Sequence, residues 1–183
     1  MRLGIPLAIA LVLATAGCST LFGDSDVDVS AAKEFDEYPL YWVGAGFEQW
    51  DLVHVEIRPQ MTTFIYGDCE VTGNEGGCPP PLSIQVSPLC AHLDVVARGP
   101  IWRRRSIRSA PVGAIDSAPV LFTTGAQVKV YRGQGSDAGL PKRALEALRS
   151  INDVPPVIGP TGSIPGADPA MLAGEVPCAV ATR

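Results

Sequence analysis

Apolar and polar residues alternate strictly in several short stretches. Over residues 51–58, Val53, Val55 and Ile57 share one face of an extended segment, and Leu52, His54 and Glu56 share the other. A period of two over this length predicts a half-buried strand. Residues 61–66 predict a second strand, closed by Gly67 and Asp68. Leu82, Ile84 and Val86 alternate with Ser83, Gln85 and Ser87 up to Pro88, predicting a third. Residues 120–132 carry two more strand signals around Gly125, with Val128 and Val130 set against Lys129 and Tyr131.

The period changes once. Ala144, Leu145, Leu148 and Ile151 form an apolar stripe, with Lys142, Arg143, Glu146 and Arg149 on the polar side. This predicts a helix over residues 141–151 that starts at Pro141 and stops before Pro155. A helix this short needs tertiary packing, so its stripe should cover a sheet face. From Asp153 onward Pro155, Pro156, Pro160, Pro165 and Pro169 forbid long regular elements. The expected fold class is α+β: a small antiparallel sheet packed by one C-terminal helix, disulfide-stapled, with a Pro/Gly-rich tail. The expected divisions are a signal peptide at 1–17, an acidic tether at 18–37, a globular domain at 38–153 and an extension at 154–183.

The beginning of the chain follows a different logic. Arg2 precedes an apolar run from Leu3 to Ala16, about 14 residues long, too short for a membrane span of about 20. Leu13-Ala14-Thr15-Ala16-Gly17-Cys18 resembles the lipobox of bacterial lipoproteins. That resemblance implies diacylglycerol on the Cys18 thiol, cleavage before Cys18, and anchoring to the outer face of a bacterial membrane. Read from the residues alone, cleavage after Ala14-Thr15-Ala16 would release a secreted, soluble chain, and an uncleaved anchor is the third reading. Residues 19–37 carry Asp24, Asp26, Asp28, Glu34, Asp36 and Glu37 against Lys33, a composition that repels itself into an extended spacer.

Export changes how the cysteines read. Apart from Cys18 there are four: Cys69, Cys78, Cys90 and Cys178. An even number outside the cytoplasm predicts two disulfides, and three connectivities are open. The favoured one joins Cys69 to Cys78 across a glycine-rich loop and Cys90 to Cys178, pinning the tail. No paired zinc-ligand spacing is present, so no metal and no cofactor are expected. The formal charge of −5 argues against nucleic-acid partners.

Candidate chemistry is sparse. His54 and His92 are the only histidines, and the chain lacks both G-x-S-x-G and H-E-x-x-H. No catalytic residue is assigned. The aromatics between Tyr38 and Trp50 read first as core, and Tyr41, Trp42 and Trp50 as a candidate ligand platform. Arg103, Arg104, Arg105 and Arg108 form the basic cluster, an exposed loop or a contact for anionic lipid. The expected function is a non-enzymatic binding or interaction module, a lipoprotein of the cell envelope with a protein or glycan partner. The alternative is an exported hydrolase or glycan-binding protein acting on envelope polymers.

Overall fold

The computed structural model describes residues 27–68, 79–92 and 105–178. Among these residues ten strands run β1 (Tyr41–Trp42), β2 (Gly46–Phe47), β3 (Trp50–Arg58), β4 (Met61–Tyr66), β5 (Leu82–Pro88), β6 (Ser106–Ile107), β7 (Ala110–Ile115), β8 (Ala118–Phe122), β9 (Ala126–Arg132) and β10 (Arg149–Ser150). Among the described residues three short helices accompany them: α1 (Ser30–Glu34), α2 (Leu140–Ala147) and α3 (Pro169–Leu172). A 3-10 turn spans Leu89–His92. No helix among the described residues is long and apolar enough to cross a membrane.

The expected α+β architecture is corrected. Eight strands form one curled antiparallel sheet in the order β2-β3-β4-β5-β9-β8-β7-β6, a half-barrel rather than a small sheet under one helix. The expectation missed the β6–β7 arm. Its two-residue turns contain no glycine, asparagine or proline: Arg108 and Ser109 join β6 to β7, and Asp116 and Ser117 join β7 to β8. All four residues have positive φ, between 49° and 79°. Two left-handed residues in a row match the right-handed twist of a two-residue hairpin, a role normally given to Gly or Asn.

One face of the sheet is the main core. Phe64, Tyr66, Leu82, Ile84, Val86, Val128, Val130 and Leu121 are fully buried on it. A register shift between Leu52 and His54 decides which β3 side chains join them. Leu52 pairs with Tyr66, whereas Val55 pairs with Phe64 and Ile57 with Thr62. An extra residue thus lies between Leu52 and Val55, placing Leu52 on the core face in place of Val53. Leu52 is 1% exposed.

Helix α2 covers this face with Leu140, Ala144, Leu145 and the following Leu148, all fully buried. The predicted stripe is therefore real, but the helix ends at Ala147. Leu148 is already extended (ψ 140°), and Arg149–Ser150 pair with Trp42–Tyr41 as β10. The acidic segment joins the same core: Ala32 of α1 is buried, and the Phe35 ring meets Tyr38 edge-on at 4.7 Å. Gly133 lies against Pro79 and Pro80, where an added Cβ would sit 2.6 Å from the Pro80 carbonyl oxygen.

Arg108 of the basic cluster turns inward. Its Nε donates to the Gly162 carbonyl at 2.5 Å, and Nη1 donates to the carbonyls of Leu148 at 2.5 Å and Glu146 at 3.3 Å. Nη2 donates to the Gly159 carbonyl. One planar fork thus ties the end of α2 to the loop at 159–162, and its cation sits beside carbonyls that the helix leaves unpaired. Arg105 is exposed, and Arg103 and Arg104 lie outside the described residues. Arg108→Ala is expected to lower stability by about 2 kcal/mol, read from the urea midpoint. Arg108→Lys should recover less than half, because an ammonium cannot span four acceptors as a guanidinium does. Equal stability for all three proteins would refute this role.

Candidate functional site

The opposite face of the sheet divides into an apolar end and a polar floor. At the apolar end Leu89, Val120, Phe122, Ala167 and Leu172 form a second, smaller core. The C-terminal segment covers it. Ala167 N–H donates to the Phe122 carbonyl at 3.1 Å, Thr123 bridges Gly166, and Asp168 caps α3 through Ala170 N–H. Cys90 and Cys178 close this cover as a disulfide, with Cα atoms 5.6 Å apart. Cys18, Cys69 and Cys78 lie outside the described residues.

The polar floor arises from alternation in two adjacent central strands. On β5 the residues opposite Ile84 and Val86 are Ser83, Gln85 and Ser87; on β9 those opposite Val128 and Val130 are Gln127, Lys129 and Tyr131. The register sets Ser87 beside Gln127, Gln85 beside Lys129 and Ser83 beside Tyr131. Directly opposed residues present their side chains on the same face, so these pairs form a continuous polar ladder. Met61 and Ile115 wall it, enclosing a groove of about 280 Å³.

Two side chains give the groove its character. Gln127 is 3% exposed, and its buried Oε1 accepts no hydrogen bond from the protein. A buried acceptor without a donor costs about 1–3 kcal/mol, and among the described residues this is the one buried side-chain polar atom without a partner. Lys129 Nζ lies 3.2 Å from Asp116 Oδ2 and 4.7 Å from the Tyr131 ring centroid. Partial burial pushes the Lys129 ammonium down, but Tyr131 and Asp116 together outweigh it and hold its pKa above the ordinary value. Lys129 is therefore a fixed cation and a hydrogen-bond donor, unsuited to acting as a base or nucleophile near neutral pH. Asp116 reaches it from the left-handed β7–β8 turn and is itself mostly exposed. A second, more open cleft of about 520 Å³ shares Asp116 and Tyr131 with the groove and continues to the loop at Gln134.

The residues singled out from sequence lie elsewhere. Tyr41 has no exposed surface, and its hydroxyl donates to the Pro156 carbonyl at 3.4 Å. Trp42 is half-buried between Phe64, 6.2 Å away, and the Arg149 guanidinium at 5.5 Å. Trp50 is half-buried against Gly67. The three side chains thus pack with the main core, away from the groove. His54 is exposed on β3, Asp28 caps Ser30 N–H, and Asp24 and Asp26 lie outside the described residues. No group of three or more His, Cys, Asp or Glu side chains gathers as a metal site among the described residues. Sequence reasoning passed over Gln127 and Lys129. The only signal was a pair of strands with amide, hydroxyl and ammonium groups on their polar faces, and their adjacency was not readable. Searches against protein-family models, curated proteins and solved structures find no match to this chain.

Proposed function

We propose that this chain is an exported, lipid-anchored binding module of the cell envelope, with the Lys129 groove as its ligand site. The observation that carries the reading is Gln127. Gln127 sits on a central strand and lines a groove whose other polar groups are donors and acceptors, while its buried Oε1 has no partner within the protein. Such a floor is suited to holding a polar ligand by hydrogen bonds. The lipobox-like stretch ending at Cys18 supports export, as does the Cys90–Cys178 bond, since such bonds persist outside the cytoplasm.

The anchor is tested by the intact mass of protein purified from detergent-solubilised membranes. A chain that begins at Cys18 and carries added acyl mass is expected; an unmodified chain beginning at Gly17 would refute the anchor. The second reading, a hydrolase acting on envelope polymers, has one carboxylate in the groove, Asp116. Soluble fragments released from purified envelope polymer, and lost in Asp116→Asn, would replace the binding reading with that one.

A further inference from the structure

Three properties of the groove restrict what can fill it. Gln127 Oε1 has no donor within the protein and is buried, so an occupant with an O–H or N–H satisfies it once the amide turns toward the groove. Lys129 and Asp116 offset each other's charge at 3.2 Å, so the floor offers a polyanion no net field. Gln85 and Ser87 line the same groove, and each side chain both donates and accepts. Hydroxyl groups, which also do both, complement such a surface at every position.

A peptide fits less well. Extended peptides gain most from an open sheet edge, but β5 and β9 are central strands, each paired on both sides. We propose, resting on the reading of the groove as a binding site, that its ligand is a neutral glycan chain. With the Gln127 amide turned toward the groove, one sugar hydroxyl donates to its Oε1, and another ligand oxygen accepts from Lys129 Nζ. The adjoining cleft past Tyr131 takes further sugar units, so the ligand is an oligosaccharide rather than a single sugar.

The test titrates the full chain in detergent, by calorimetry, with cellotetraose, an N-acetylglucosamine tetramer, polygalacturonate and tetra-alanine. Saturable binding of at least one neutral tetrasaccharide is expected, about tenfold tighter than the matching single sugar. Gln127→Leu should weaken it about tenfold or more. Lys129→Met serves as a second, independent variant, and urea midpoints confirm that each variant is folded. If polygalacturonate or tetra-alanine binds instead, and Gln127→Leu abolishes that binding, the ligand class is wrong while the groove remains a binding site. If no probe binds, or if binding is indifferent to both variants, the groove reading falls with it.

Discussion

Replacing Asn152 by alanine is expected to lower stability by about 3 kcal/mol, a large part of the 5–15 kcal/mol typical of a folded domain. Asn152 is 2% exposed and makes three hydrogen bonds with backbone groups. Its Oδ1 accepts from Leu40 N–H at 2.9 Å; its Nδ2 donates to the carbonyls of Phe35 at 2.8 Å and Tyr38 at 2.9 Å. One amide thus fastens residues 35–40 to the chain just after β10. Alanine removes all three contacts and leaves backbone groups without partners in a place water reaches poorly, which costs more than the bonds themselves contributed. Asn152→Asp separates the two roles. It keeps the acceptor but loses both amide donors and buries a charge. Burial should raise the folded-state pKa of that aspartate above its unfolded value. The folded variant then binds more protons than the unfolded chain, so its deficit relative to the parent should shrink as pH falls through that folded pKa and grow as pH rises. Urea unfolding of the parent and both variants at pH 5 and pH 8 decides this. A midpoint unchanged in Asn152→Ala would show that the Asn152 contacts are dispensable.

Loss of the Cys90–Cys178 bond has the other large expected effect, about 4 kcal/mol. The two cysteines are 88 residues apart in sequence. Cross-linking so long a loop removes much of the freedom of the unfolded chain. For a chain of this size the loss corresponds to a fall in Tm of roughly 10 °C in the Cys90→Ala/Cys178→Ala double variant. The first structural consequence should be local. The C-terminal cover rests on Val120, Phe122 and Leu89 through Ala167 and Leu172, and short backbone links at Thr123 and Phe122 hold its near end. Amide exchange should therefore quicken first in residues 168–178, while β5 and β9 stay protected. Uniform exchange across the sheet and cover would refute that order, and an unchanged Tm would refute the bond's contribution.

The alternation at 51–58 and 82–88, the run at 61–66 and the two signals over 120–132 made β3, β5, β4, β8 and β9 readable, and the apolar stripe made α2 readable. Each of these signals is local: a strand or helix repeats its own period whatever it packs against. The same reading misplaced Leu52, because one inserted residue in β3 reverses which side chains face the core, and nothing in the alternation marks the insertion. It missed the β6–β7 arm because Arg108, Ser109, Asp116 and Ser117 adopt left-handed conformations usually signalled by glycine or asparagine. It extended α2 by four residues because Leu148 and Ile151 continue the apolar spacing, although β1 claims Arg149 and Ser150 as a strand.

The sequence by itself determined that β3, β4, β5, β8 and β9 are strand-forming, where the long apolar stripe lies, and that Cys90 and Cys178 could pin the tail. Only the tertiary structure decided that eight strands join in one half-barrel, and that β5 pairs with β9 although the β6–β8 arm lies between them in the chain. That pairing sets Gln127 beside Ser87 and Lys129 beside Gln85, and so creates the groove. The physical reason is that periodicity is fixed by backbone geometry within a few residues. Strand order is fixed by which distant faces bury the most apolar surface together, a sum over the whole chain that no local stretch contains.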